Sequence, residues 1–363
     1  MSGTIDDVST ADDGAPPVPV AVLVALGASA RLVVLDVRRE LALGRTAELD
    51  DDRLSRDHAT VRFERGTWVI ADRDSRNGTF VDGERVAGEA RRRGDVVLRL
   101  GHTVLVLVAD GRGYDAIADG GPHVVGPELA RVYEQVRAHA GEPCLLVQGE
   151  TGSGKELVAR RFHDAGPHAT GPFVAVNCAA IPKGVAERLL FGSRAGAFSD
   201  AIDAPGYLAS AQGGTLFLDE VADLDLAVQA KLLRAVELHE VTPVGATAPV
   251  RVELGVIAAS HRELRSELAA RRFRDDLYYR LARVTVRLPP LRERKLDIAR
   301  LAVRELAAAD RELAAHARLV EACCMRPWPG NVRELHAAIR AAAQAAREAG
   351  RAIVRPEDLP RLQ

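Results

Sequence analysis

One segment limits the possible folds of this chain more than any other: Gly149-Glu-Thr-Gly-Ser-Gly-Lys155. It follows an apolar run, Cys144–Gln148, and opens a helix-forming stretch, Glu156–Phe162. A strand, a glycine-rich loop and a helix in that order belong to a parallel α/β sheet. The glycines let backbone N–H groups wrap a phosphate, and the helix N-terminus adds a favourable dipole. Lys155 is then placed to reach the β- and γ-phosphates of a nucleotide. Gly149, Glu150, Thr151, Gly152, Ser153, Gly154, Lys155 and Glu156 are therefore the expected nucleotide-binding residues. Position 156 is Glu, where such a loop usually carries the Ser or Thr that binds magnesium.

Further on, Gly213–Glu220 reads GGTLFLDE, an apolar strand that ends in two acids. Beside a phosphate cradle, Asp219 is placed to hold Mg2+ and Glu220 to polarise the attacking water. From residue 123, helical patterns alternate with buried-type strands (CLLVQ, FVAVN, TLFLDE, LGVIAAS), again a parallel sheet. From about Leu296 the chain is Ala/Arg/Leu-rich and helical, broken at Trp328-Pro329-Gly330.

The N-terminal part has a different texture. Residues 1–17 are acidic and Pro/Gly-rich and read as a disordered tail. Residues 18–110 carry short β-type runs (VAVLVAL, RLVVLDV, ATVRFERG, TWVIAD, GTFVDG, DVVLRL, TVLVLVA) separated by Gly, Asp and Arg turns. Many short strands at close spacing predict a β-sandwich. Residues 111–122 read as a linker, 123–295 as the α/β part and 296–363 as a helical lid. The net charge of −2 removes any bulk-charge argument for nucleic-acid or membrane binding. The four cysteines, Cys144, Cys178, Cys323 and Cys324, have neither zinc-type spacing nor the density of a disulfide framework. No export signal is visible, and the longest apolar stretch, Val18–Ala30, is too short to span a bilayer. A cytoplasmic protein is expected.

With these motifs in place, the span from about 123 to 363 resembles the sigma-54-interaction AAA+ ATPase domain of bacterial enhancer-binding proteins. GETGSGKE at 149–156, PFVAVNCAAI at 172–181, GGTLFLDEV at 213–221, FRDDLYYRL at 273–281, LPPLRER at 288–294 and WPGNVREL at 328–335 carry the likeness, in order. The family normally has Glu after the P-loop lysine, so Glu156 fits it. The resemblance implies ATP and Mg2+ as cofactors and a homo-oligomeric ring, a hexamer. It implies that Asn177 holds Glu220 inactive until the nucleotide state changes, although an Asn at that strand end also suits a helix cap. Arg274 and Arg280 become arginine fingers that reach a neighbouring subunit's γ-phosphate. Arg333 becomes the lid sensor, and Val124, Val125 and Gly126 line the adenine pocket.

Three features depart from the family pattern. The loop that meets sigma-54 normally reads GAFTGA; here it is Gly196-Ala197-Phe198-Ser199-Asp200-Ala201. Asp200 adds a Cβ and a negative charge in place of Gly. His261 stands where the family has a sensor Asn; imidazole still donates a hydrogen bond. The chain reaches Gln363 where the ATPase domain of this family would end, so the usual helix-turn-helix is not expected, and neither is direct sequence-specific DNA binding.

In the β-rich part, Gly44-Arg45, Ser55-Arg56-Asp57-His58 and Ser75-Arg76-Asn77-Gly78-Thr79-Phe80 resemble a forkhead-associated (FHA) domain in order and spacing. That resemblance, over about residues 20–110, implies phosphothreonine as ligand. Arg45 offers a planar fork of donors to the phosphate, Ser55 and Arg56 complete the cradle, and Asn77 holds the peptide backbone. His58 is expected to brace the loop. The implied partners are a phosphothreonine-containing protein or Ser/Thr kinase and sigma-54 RNA polymerase holoenzyme. Three readings follow: a phosphothreonine-gated activator of the sigma-54 type, an FHA-controlled AAA+ regulator with another target, and a phosphopeptide-binding adaptor with an inactive ATPase.

Overall fold

A computed structural model describes residues 17–26, 33–36, 39–46, 49–112, 123–182, 184–196 and 203–361. Residues 1–16 of the tail expected over 1–17, residues 113–122 of the expected linker and Ala197–Ala201 of the expected sigma-54 loop lie outside the described residues. The chain separates into two compact units. One is Met1–Gly121 with Leu306–Met325 and Ala342–Gln363; the other is Pro122–Glu305 with Arg326–Ala341. The helical C-terminal part is thus shared between the units.

In the first unit the strands are β1 (Val20–Leu26), β2 (Val33–Asp36), β3 (Leu41–Leu43), β4 (Ala59–Glu64), β5 (Thr67–Asp72), β6 (Thr79–Val81), β7 (Glu84–Arg85), β8 (Glu89–Arg93), β9 (Val96–Leu100) and β10 (Thr103–Val108). They form two sheets, β2-β1-β10-β9-β6-β7 and β3-β4-β5-β8, the β-sandwich expected from the strand spacing. Alternate residues face inward, so Leu23, Leu98, Leu105, Trp68 and Ile70 make the core between the sheets. Trp68 donates its indole N–H to the Gly94 carbonyl at 3.0 Å, which satisfies the one polar atom of that buried ring.

The second unit is built on a five-stranded, all-parallel sheet. Its order is Phe173–Asn177, Thr215–Asp219, Gly255–Ser260, Cys144–Gln148, Thr285–Arg287. Both faces are covered, which is why the strands are continuous apolar runs. Leu146, Leu216, Leu218 and Ala258 pack to one side, and Leu145, Val147, Phe217 and Ile257 to the other. Helices Pro127–Ala138 and Lys155–Ala165 lie on the second side, and Leu226–Leu238 and Asp275–Leu281 on the first. This is a P-loop α/β domain followed by helices.

Candidate functional site

The parallel register carries the carboxyl ends of the strands to one edge, where α/β sheets bind ligands. Gln148 pairs with Ser260, and Asn177 with Asp219. The loop Gly149–Gly154 therefore leaves the sheet beside Asp219, Glu220 and His261, and the helix Lys155–Ala165 starts from it.

The loop fits a phosphate by shape. Gly152 has φ of 76°, and a Cβ there would lie 2.5 Å from the Gly330 carbonyl oxygen. Any side chain at 152 would push the Trp328–Asn331 turn away. Ser153 closes the loop by donating from Oγ to the Glu150 carbonyl at 2.6 Å. Lys155 is buried, and its Nζ donates to the Gly149 carbonyl at 3.0 Å and to Glu220 Oε1 at 3.1 Å. The residues thus suit a nucleotide polyphosphate: a glycine loop with left-handed Gly152 and Gly154, a helix N-terminus and a buried ammonium.

Glu220 is held in an unusual way. Its backbone is left-handed (φ 55°), a conformation a non-glycine residue keeps only when its surroundings fix it. Oε2 accepts the His261 backbone N–H at 3.1 Å and His261 Nδ1–H at 2.6 Å. Burial alone pushes the Glu220 carboxyl up, but the bonds from His261 and Lys155 more than offset it and hold it below the usual carboxylate range. Asp219 moves the other way: burial raises it, with Lys155 opposing. Two adjacent acids thus have opposed tendencies, which sets their roles apart, with Glu220 the more readily ionised. Asp219 is the group that suits Mg2+. Glu156 points its carboxylate to Arg160 at 2.8 Å on the outer helix face.

Other expected residues are placed as follows. Asn177 spends its Oδ1 on the Ala179 N–H at 3.0 Å, capping the next turn. Among the described residues, the side chains bonded to the Glu220 carboxylate are Lys155 and His261. Asn177 makes no bond to Glu220 in this structure, and the cap occupies only its amide oxygen, leaving its NH2 group as a donor. Arg274 is the N-cap of the short helix Asp275–Leu281 and Arg280 lies in its last turn, and neither bonds a P-loop residue of this chain. Arg274 is paired in cis with Asp276 at 2.7 Å, and the buried Arg280 Nε has no acceptor among the described residues. Arg333 backs Gly152, with its Cβ 3.4 Å from where a Gly152 Cβ would sit. Val124 is buried, the Val125 carbonyl accepts from Arg300 at 3.3 Å, and Gly126 caps helix Pro127–Ala138. Gly196 is left-handed, and Asp203 pins the base of its loop by accepting the Ala195 N–H at 2.7 Å.

Sequence reasoning missed Asn331. This fully buried side chain accepts the Leu291 N–H at 2.7 Å and donates to Glu150 at 3.0 Å and to the Thr151 carbonyl at 3.1 Å. It ties the WPGN turn to the P-loop; its signal is a left-handed Asn (φ 52°) after Pro-Gly. Burial would raise Glu150, but Asn331 and Arg292 hold it low. A second missed group is the buried Arg294, which donates to the Ser153 carbonyl at 3.1 Å and faces Asp297 at 3.4 Å. Burial pushes the Asp297 carboxyl up to about 6 despite that guanidinium.

In the sandwich, the expected phosphopeptide residues sit on neighbouring loops. Gly44 lies so close to the next loop that a Cβ would be 2.0 Å from the Arg56 carbonyl oxygen. Arg45 N–H donates to the Ser55 carbonyl at 3.0 Å, and the Arg45 and Arg56 side chains are exposed. Ser55 Oγ accepts the Arg76 N–H at 3.2 Å, and Asn77 donates to the Arg53 carbonyl at 2.6 Å. His58 is fully buried; its Nδ1 accepts the Ser55 N–H and its Nε2–H faces the Gly78 carbonyl at 3.3 Å. It braces two loops and presents nothing outward. Burial would raise Asp72, but Ser75 and Thr79 hold it low, which anchors the loop before Asn77.

Three family models match the chain in succession: FHA domain over residues 42–101, Sigma-54 interaction domain over 125–287 and AAA+ ATPase lid domain over 292–362. The chain is 46 % identical over 229 residues to the regulatory protein LuxO of Vibrio cholerae, covering 60 % of this chain and 43 % of LuxO. It is 48 % identical over 197 residues to the DNA-binding transcriptional regulator NtrC of Escherichia coli, covering 53 % of this chain and 42 % of NtrC. It therefore spans less than half the length of these relatives. A crystal structure of NtrX from Brucella abortus in complex with ATP is similar at a TM-score of 0.59 and 30 % identity, over 66 % of this chain and 54 % of that one. No described helix is long and apolar enough to cross a membrane.

Proposed function

We propose that this chain, with its FHA domain, sigma-54 interaction domain and AAA+ lid, is a phosphothreonine-responsive ATPase that works on sigma-54 RNA polymerase. The observation that carries the reading is the chain of bonds at the mouth of the P-loop from buried Lys155 through buried Glu220 to the exposed His261. It holds an ionised base beside the phosphate cradle, which a nucleotide-bound scaffold has no need of. Similarity to NtrX, whose structure contains ATP, supports the nucleotide.

In this reading the loop Gly149–Gly154 and Lys155 bind the triphosphate. Asp219 carries Mg2+, which when bound neutralises charge on the transferring phosphoryl group. Entry of the phosphates competes with Glu220 for Lys155, and Glu220, still held by His261, takes up the attacking water. Arg274 and Arg280 act across a ring interface, hexameric as the resemblance implies, and Arg333 reports the nucleotide to the lid. Arg45, Ser55, Arg56 and Asn77 bind a phosphothreonine partner, and that binding gates the ring.

A second reading, an FHA-controlled AAA+ regulator with a target other than sigma-54, is favoured by Ser199-Asp200 in the polymerase-contacting loop. The experiment is open-complex formation by sigma-54 RNA polymerase with this protein and ATP, with hydrolysis measured in parallel. Open complexes bear out the first reading. Hydrolysis without them supports the second, and Lys155→Ala hydrolysing like the wild type removes both.

A further inference from the structure

Strands β1 and β10 are apolar at nearly every position, and Val20–Val24 and Thr103–Val108 are all buried. Leu23, Leu105 and Leu107 face the sandwich core. Val22, Val104 and Val106 point the opposite way, so the outer face of the sheet must also be covered. The helix Ala317–Met325, from the matched lid, covers it and packs on β1, β9 and β10. A largely buried ion pair fixes the contact: the Arg99 guanidinium lies over the Phe80 ring, its Cζ 3.8 Å from the centroid, and its Nε donates to Glu321 at 2.6 Å.

Where this helix meets the loops there is a cleft of about 480 Å3. Asn77 and Arg53 line one side, and His316 and Arg318 of the lid line the other. Arg99 is neutralised by Glu321, and His102 stands beside Asp51 and Asp52. The guanidiniums of Arg53 and Arg318 bond no described residue. Burial and the positive field of His102, Arg318, Arg355 and Arg99 hold His316 below its ordinary value, which marks a place short of negative charge.

We infer that the lid completes the phosphopeptide site: a peptide held at Asn77 continues along this cleft, and an acidic side chain on it is taken between Arg53 of the sandwich and Arg318 of the lid. The inference rests on the phosphothreonine reading above. It makes recognition of the mark depend on the lid being docked, so the FHA domain reads its partner with residues from both ends of the chain.

The test is fluorescence anisotropy on the full chain with two synthetic phosphothreonine peptides, one followed by glutamates and one by alanines, and an unphosphorylated control. The wild type binds the glutamate peptide about fivefold more tightly, the contribution of a partly exposed charge pair. Arg318→Ala erases the difference and leaves the alanine peptide unchanged; Arg318→Glu makes the glutamate peptide the weaker ligand. Arg318 is exposed, so unchanged thermal unfolding accompanies both variants. Arg45→Ala loses both peptides. An acidic preference that survives in both Arg318 variants, or equal binding of the two peptides to the wild type, overturns the lid contribution alone. If the wild type binds neither phosphorylated peptide, the phosphothreonine reading and this inference fall together.

Discussion

Removing the imidazole of His261 tests whether Glu220 is tuned by its neighbours. The Glu220 carboxylate receives three donors: Lys155 at 3.1 Å, and the backbone and ring of His261 at 3.1 and 2.6 Å. Those bonds outweigh burial and keep the carboxyl below its ordinary value. A hydrogen bond to a charged group is worth about 1.5–3 kcal/mol. With two of the three donors left in place, the lower figure applies, and about 1.4 kcal/mol corresponds to one pKa unit. His261→Ala therefore raises the Glu220 pKa by about one unit.

The assay is steady-state ATPase activity against pH. The acid limb of kcat/KM reports the essential base of the free enzyme. Since the shift is upward, activity in the variant is lost at a pH about one unit higher than in the wild type, while the neutral plateau falls less. His261→Asn, which restores an N–H donor, returns the limb most of the way. An acid limb that stays in place in His261→Ala refutes the reasoning. Either the ring does not hold the carboxylate, or the limb belongs to another group. A shift in the variant that Asn fails to reverse shows that ring packing, and not the donor, sets the value.

The remaining predictions concern parts that hold the site together. Asn331→Ala leaves the Leu291 N–H and the Thr151 carbonyl unpaired and puts Ala at φ 52°, so it costs about 2–4 kcal/mol in urea unfolding and raises the KM for ATP. Asp297 has a folded pKa of about 6, above its unfolded value, so its contribution is full below about pH 4 and is lost as pH rises through 6. Asp297→Asn should therefore flatten the fall in stability on the acid side of neutrality, read by unfolding on either side of pH 6. Glu321→Ala strands the largely buried Arg99 guanidinium and costs about 3 kcal/mol, the low end for a buried pair, whereas replacing both partners by apolar residues recovers most of it. Equal unfolding midpoints for Glu321→Ala and the wild type would contradict the buried pair.

Much of this molecule is legible in the sequence because its chemistry is local. The P-loop, the Asp219-Glu220 strand end and the seven apolar runs of the sandwich are each written within ten residues, and the sheets form where those runs lie. The unread parts depend on distant partners. Strand β8, EARRR, carries no apolar alternation, because its edge position lets charges point to water and pair with neighbours, as Arg92 does with Glu84 at 2.6 Å. Asn331 reads as a turn residue, and only the fold reveals that its amide bridges to the P-loop.

One signal was present but unused. After Thr103, TVLVLV in β10 has no polar position to face water, as a sandwich strand with one solvated face should. Two-sided hydrophobicity in an antiparallel strand says that something else covers the sheet, and the helix Ala317–Met325, more than 200 residues away in sequence, supplies the cover. The same helix continues within a few residues into the WPGN turn, whose Asn331 holds Glu150 and Thr151 of the P-loop. Within one unit Asn331 is thus bonded to the P-loop, and within the other the helix Ala317–Met325 packs on the sheet of the FHA-matched sandwich.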